Sequence, residues 1–216
     1  CGWLLVCWAG RVAASPSGAA PAPPDPPLIA PALALRLAER AVAENFPDAD
    51  TVLVADHTRV LYRPDGTSIE WNEEYTKVLT EKGRRSARTR SYGYMTQYGR
   101  VHLLEAEILR ADGTRVPVDL EACSREMVEP SQIGANIYDP NHKVLTLTLP
   151  GLEPGDLTRL VVARTTDKAR VPDTWSDYTV LEYTAPILWA EHAVLAPAER
   201  PLAVLRLRDE IPGKVS

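Results

Sequence analysis

The one thiol placed to do chemistry is Cys123, in Glu121-Ala122-Cys123-Ser124-Arg125-Glu126. A guanidinium two residues on can lower a thiol pKa. A thiol nucleophile also needs a base, normally an imidazole, within hydrogen-bond reach. His142 lies 19 residues downstream, a separation that says nothing of distance in space. The simpler reading is an inert, half-buried cysteine at a strand end, with a stand-alone enzyme using Cys123 as its alternative. His57, His102, His142 and His192 are scattered, no two at i+2, i+3 or i+4. Zinc sites usually contain one close ligand pair, so no metal is expected. The 12 glycines stand singly in turns, so no phosphate-cradling loop and no nucleotide cofactor are expected either.

Other side chains could bind rather than react. The densest cluster is Lys82, Arg84, Arg85, Arg88 and Arg90, followed by Tyr92, Tyr94 and Tyr98. Arginine and tyrosine together make interaction hot spots. The competing reading is a solvated segment facing Glu73, Glu74 and Glu81. Asp139, Asp156, Asp167, Asp173 and Asp177 fall in turns or at strand ends, where aspartate mostly bonds its own backbone. Paired carboxylates for glycoside cleavage are the sharper alternative. Trp71, Trp175 and Trp189 carry enough apolar area to belong to the core. A line of them exposed on one sheet would instead mark a carbohydrate-binding module.

The chain has 216 residues, with 24 Lys and Arg against 29 Asp and Glu, a formal charge of −5. That balance argues against a nucleic-acid binder, and three cysteines cannot build a disulfide framework. Residues 1–9 are apolar but too short for a bilayer span, which takes about 20 residues. Followed by Val12-Ala13-Ala14, they read as the remnant of an export signal over residues 1–14, placing the protein in the periplasm or outside the cell. Residues 15–31 hold seven of the 19 prolines and read as an extended linker.

Pro31 can open a helix, and the spacing of Leu33, Ala34, Leu37, Ala38, Ala41 and Val42 predicts it through Asn45, with Pro47 as its stop. Beyond Asp50 the period changes to two. Thr51–Tyr62 and Thr67–Thr80 flank Arg63-Pro64-Asp65-Gly66, and Val101–Arg110 and Arg115–Val118 flank Ala111-Asp112-Gly113-Thr114, two hairpins. Further strands are expected at Lys143–Leu149, Leu157–Thr166, Trp175–Thr184, Ile187–Ala196 and Pro201–Leu207. The fold class is therefore all-β, an antiparallel sandwich of about 8–10 strands over residues 48–216 with one N-terminal helix at 32–47.

Three segments carry a resemblance: Glu74-Tyr75-Thr76-Lys77-Val78-Leu79-Thr80-Glu81-Lys82-Gly83, Leu104-Glu105-Ala106-Glu107-Ile108-Leu109-Arg110-Ala111-Asp112-Gly113-Thr114, and Leu147-Thr148-Leu149-Pro150-Gly151-Leu152-Glu153-Pro154-Gly155-Asp156. In this order and spacing they resemble the β-rich domain of unknown function that precedes a transglutaminase-like core in secreted bacterial proteins. The likeness covers roughly residues 48–210. It implies a scaffold: Gly83 ending a strand with positive φ, Asp112-Gly113 turning a hairpin, and the two Pro-Gly pairs making a double turn. The family's Cys-His-Asp triad belongs to a separate core, and no stretch here reads like its Cys-bearing helix. The expected role is a non-catalytic accessory module, partnered by such a core, another protein or a glycan.

Overall fold

The computed structural model describes residues 20–135, 138–180 and 184–203, and the export-signal reading of residues 1–14 lies outside them. The described elements are β-rich and form two sheets packed face to face. The larger has the order β5-β4-β8-β2-β1-β9 and the smaller β3-β7-β6. Their strands are β1 (Thr51–Tyr62), β2 (Ser68–Val78), β3 (Thr89–Met95), β4 (Gly99–Leu109), β5 (Arg115–Pro117), β6 (Ser124–Val128), β7 (His142–Thr148), β8 (Leu157–Thr166) and β9 (Ala190–Leu195).

Local chemistry sets the hairpins where the sequence places them. At Gly66 and Gly113 φ is 85° and 86°, a conformation glycine adopts without strain. Asp65 accepts a hydrogen bond from the Thr67 amide at 2.9 Å, and Asp112 from the Thr114 amide at 2.8 Å. β1 pairs antiparallel with β2, and β8 lies antiparallel between β2 and β4. β9 departs from the antiparallel expectation, running parallel to β1 with Asp56 opposite Ala190 and Leu61 opposite Leu195. The segment before it, expected as a strand over Trp175–Thr184, joins no ladder at residues 175–180, and residues 181–183 lie outside the described structure. Pro201–Ala203 carry no strand, and the remainder of the strand expected there falls outside the described residues.

The large sheet packs against other elements on both faces. One is covered by the small sheet, through a core that includes Ile108, Leu147, Leu149 and Leu160. The other lies under the N-terminal segment, where Leu28, Ile29, Ala34, Ala38 and Ala41 pack on Val52, Val54, Tyr75 and Leu157. Residues 20–30, expected as part of a linker, are thus docked on the sheet, because Leu28 and Ile29 give the proline-rich run two side chains that leave water.

Helix α1 (Pro31–Ala38) has Pro31 in its first turn and stops well short of Asn45. Beyond it the chain continues in tighter turns, with Arg40 N–H on Leu37 O and Ala41 N–H on Ala38 O, and the Asn45 amide holds the Arg40 carbonyl at 2.9 Å. At the end of these turns Ala41 is buried in the same core as Ala34 and Ala38.

Three further helices are short. They are α2 (Glu81–Ala87), α3 (Leu120–Cys123) and α4 (Gln132–Ala135). The first corrects the reading of Gly83 as a positive-φ strand end. Thr80 caps α2 by accepting from the Gly83 amide at 3.0 Å, and Gly83 is not among the positive-φ residues. Its requirement is space: a Cβ there would stand 2.0 Å from the Asp50 carbonyl oxygen. Gly83→Ala therefore costs about 1–3 kcal/mol of stability by overpacking, although alanine is the better helix former. Urea denaturation checks this, and a variant as stable as the parent would show that α2 shifts freely.

Candidate functional site

On the face under the N-terminal segment, β2 points Trp71, Glu73 and Tyr75 inward. Glu73 is 1% exposed. One of its oxygens accepts from Arg159 Nε at 2.7 Å and the other from the Ile29 amide at 3.0 Å. Arg159 Nη1 donates to Glu105 at 2.5 Å and to Glu107 at 3.1 Å. Burial alone would lower the Arg159 pKa, but the Glu73 and Glu105 carboxylates hold it above its ordinary value. Beside this network the His57 Nδ1 sits 3.0 Å from the Leu28 carbonyl and Trp71 Nε1 donates to the Ala22 carbonyl at 3.1 Å. Burial pulls the His57 pKa down to about 4, which keeps the ring neutral, so Nδ1 carries the proton and donates. This face fastens the N-terminal segment.

The opposite face is only partly covered by the small sheet. Where β1, β2 and β9 extend past it, a half-buried row is polar: Asp56 and Thr58 of β1, Glu70 and Asn72 of β2, and His192 of β9. Cross-strand register aligns Asp56 with Glu74, and Thr58 with both Asn72 and His192. Residues 177–180 form the outer wall. The groove has a cavity of about 490 Å³ lined by Asp56, Thr58, Glu70, Tyr178 and His192 among others. A second hollow of about 230 Å³ adjoins it through Glu70 and Asp177, with Trp175 on its wall. Trp175 packs on Tyr62, ring centroids 5.3 Å apart.

Inside the groove, Asn72 donates to Asp56 at 2.6 Å and to Thr58 at 3.0 Å. Burial pushes the Asp56 carboxyl up to about 6 against the Asn72 hydrogen bond, and the Glu74 and Glu70 charges add to the rise. Glu70 is raised by burial in spite of Arg164, and His192 is lowered by burial in spite of Asp177. Of the groove residues, Asp177, His192 and Trp175 stood out in the sequence, whereas Asp56, Thr58 and Glu70 did not. The signal was the second stripe of β2, where Glu70, Asn72 and Glu74 alternate with the stripe that bears Trp71.

The thiol is placed elsewhere. Cys123 ends α3 and packs against the core between the sheets. Ser124 pairs with Leu147 on β7, and His142 lies five residues along that strand, about 17 Å at the rise of an extended chain. His57 and His102 sit on β1 and β4, and His192 lines the groove.

The basic and aromatic cluster divides. Arg90, Tyr92 and Tyr94 alternate inward from β3, where Arg90 reaches Glu74 at 3.0 Å and Tyr94 donates to Glu126. Tyr92 and Tyr94 pack with Val101 and Val162. Burial raises the Tyr94 hydroxyl to about 12, with the Glu126 bond adding to it. Lys82 pairs with Asp50, and Arg84 and Arg85 with Glu81 on α2. Arg88 is exposed, and Arg170 stacks over Tyr98 at 5.2 Å. Of the three acids expected to face the cluster, Glu74 and Glu81 do so, while Glu73 turns to Arg159. Trp71 packs on the core under the N-terminal segment, as does Trp189, whose ring stands 5.9 Å from His57.

Among the described residues no group of three or more His, Cys, Asp or Glu side chains is placed to hold a metal ion. No helix among them is long and apolar enough to cross a membrane.

Against known proteins, a family model described as a Domain of Unknown Function with solved structure, DUF3857, matches residues 64–211. The chain belongs to this family. No curated protein matches. Among solved structures, the DUF3857 chain is similar to "a putative protease" from Parabacteroides distasonis, with TM-score 0.50 and 16% identity over 56% of this chain. It spans 24% of that longer protein. It is also matched to the CBM3a-L domain of the cellulosome scaffoldin cipA of Clostridium thermocellum, at TM-score 0.32 and 9% identity over 62% of this chain and 79% of the other. A second family 3a carbohydrate-binding module from that scaffoldin matches at TM-score 0.29 and 11% identity, over 59% and 90%. For the DUF3857 chain the first of these bears on fold alone.

Proposed function

We propose that this DUF3857 domain is a non-catalytic accessory module of an exported, transglutaminase-like bacterial protein, packing on or positioning its catalytic core. The observation that carries the reading is the separation of about 17 Å between the Cys123 end of β6 and His142, which leaves the thiol without that base. The buried ionisable groups Glu73 and Arg159 are likewise bound to each other and to backbone, and serve the scaffold. A fold shared with about a quarter of a longer protein described as a protease is in keeping with a module built into something larger. Export is supported by the apolar run at residues 1–9 and the small residues after it. Arg85 and Arg88, exposed on and after α2, are the part of the basic cluster left to meet a partner surface.

Two measurements test the reading. The reading frame beyond Ser216 is expected to encode a Cys-His-Asp core, and a stop codon there sinks the accessory role. Alkylation at pH 6, followed at Cys123 by peptide mapping, is expected to be no faster than for free cysteine, whose thiol is only about 0.3% ionised at that pH. A rate ten or more times higher would show an activated nucleophile and replace the module by an enzyme.

A further inference from the structure

The groove between β1, β2, β9 and residues 177–180 has a one-sided hydrogen-bonding character. Asn72 spends both amide hydrogens inside the wall, on Asp56 Oδ1 and Thr58 Oγ1. What the lining then offers a visitor is mainly acceptors, the second Asp56 oxygen and the carboxylates of Glu70 and Asp177, beside the hydroxyls of Thr58 and Tyr178. The Thr179 hydroxyl lies 3.1 Å from His192 Nδ1, so these two groups are engaged with each other. Among the described residues, no Lys or Arg lines this cavity. Arg164 approaches Glu70 only to 3.9 Å, from the adjoining hollow. Asp56 is thus a largely buried carboxylate whose hydrogen-bond partner is a neutral amide. Buried carboxylates usually have a cation beside them, and here the cation is missing from the wall itself.

The rim adds a second requirement. Tyr178 is 85% exposed and Val180 51% exposed, beside the acceptor row. A ligand matching both features has a donor-only charged head and an apolar stem. Sugar hydroxyls fit less well, because each accepts as well as donates and would find few donors there besides the Thr58 and Tyr178 hydroxyls. We propose that this groove receives the side chain of a lysine or arginine presented by a partner peptide, its ammonium or guanidinium among Asp56, Glu70 and Asp177 and its methylenes against Tyr178 and Val180. This names a partner class for the accessory role and rests on that reading for its context, while the groove chemistry stands on its own.

The test titrates the full chain with acetyl-Gly-Lys-Gly-amide and acetyl-Gly-Arg-Gly-amide, following the backbone amide resonances of Thr58, Asn72 and His192. Both cationic peptides are expected to bind at least tenfold tighter than the norleucine peptide, which has the stem without the charge. Asp56→Asn and Glu70→Gln are each expected to weaken them five- to tenfold. Glu44→Gln, an exposed acid near α1, should leave binding unchanged, which separates the groove from the attraction of a net −5 chain. Equal affinity for the norleucine peptide overturns the proposal, as does an equal loss in Glu44→Gln or no binding at 10 mM. Tenfold tighter binding of glucosamine than of the lysine peptide overturns it in favour of an amino sugar. Thermal melts of Glu70→Gln, at a half-exposed position, guard against loss of fold in Asp56→Asn. If the peptides fail while the reading frame continues into a core, the groove reading falls and the accessory role survives. Fast alkylation of Cys123 does the reverse.

Discussion

Replacing Glu73 by alanine is expected to lower the unfolding free energy by about 3–5 kcal/mol, the usual loss when one member of a buried ion pair is removed. Two groups lose a partner at once. Arg159 keeps its charge in a site where it is 8% exposed, its Nε loses a 2.7 Å bond, and the Ile29 amide loses its acceptor. Glu105 and Glu107 still hold Arg159 Nη1, but from the outer side, and Glu105 is 40% exposed. Glu105→Ala is accordingly expected to cost under about 1 kcal/mol. A second consequence is specific to Glu73. The N-terminal segment is held by Ile29 on Glu73, Leu28 on His57 and Ala22 on Trp71, so loss of the first bond frees the segment locally. Hydrogen exchange in Glu73→Ala should speed up at residues 28–38 before the β2–β8 ladder opens. Denaturant midpoints and exchange rates report the two effects separately. A loss below 1 kcal/mol in Glu73→Ala would show that the carboxylate is dispensable and that apolar contacts alone seat the segment.

The strands were legible wherever local chemistry was enough to define them. Leu157–Thr166 is β8 to the residue, and the Asp65-Gly66 and Asp112-Gly113 turns sit where the sequence puts them. Elements that depend on distant partners were not. β9 pairs with β1 from more than 130 residues away, and nothing in Ile187–Ala196 states that the pairing is parallel. Gly83 read as a strand end with positive φ; its reason is the Asp50 carbonyl, which no local pattern reveals. The docking of residues 20–30 was hidden by proline content, since composition reports which ladders a segment cannot join and is silent on where it packs. Alternation likewise separates the two faces of β2 and β3 without saying what covers each. Arg90, Tyr92 and Tyr94 therefore read as a binding stripe and lie in the seam between sheets, while Asp56 and Glu70 drew no notice and line the groove.

The two titratable neighbours on β1 make the second large effect, because they pull stability in opposite directions as the pH falls. His57 faces the N-terminal segment and its pKa is lowered by burial to about 4, from an ordinary value near 6.5. Below 6.5 the unfolded chain takes up a proton that the folded ring refuses, so this residue's contribution is lost as pH drops toward 4. The loss is about 3 kcal/mol across the window. Asp56 faces the groove, with its carboxyl pushed up to about 6 by burial. Here the folded state takes the proton first, so stability rises as pH falls from 6 toward 3.8, by about 2–3 kcal/mol before pH 4 is reached. The two terms nearly cancel in the parent protein. Each single variant uncovers the other: relative to the parent between pH 7 and pH 4, Asp56→Asn should lose about 2–3 kcal/mol and His57→Gln should gain about 3 kcal/mol. The remaining titrating groups are common to all three proteins, so the comparison rests on differences in slope. Urea melts at half-unit pH steps measure it. Three superimposable slopes would mean that water reaches both side chains freely, and with that the dry, cation-seeking character of the groove would go too.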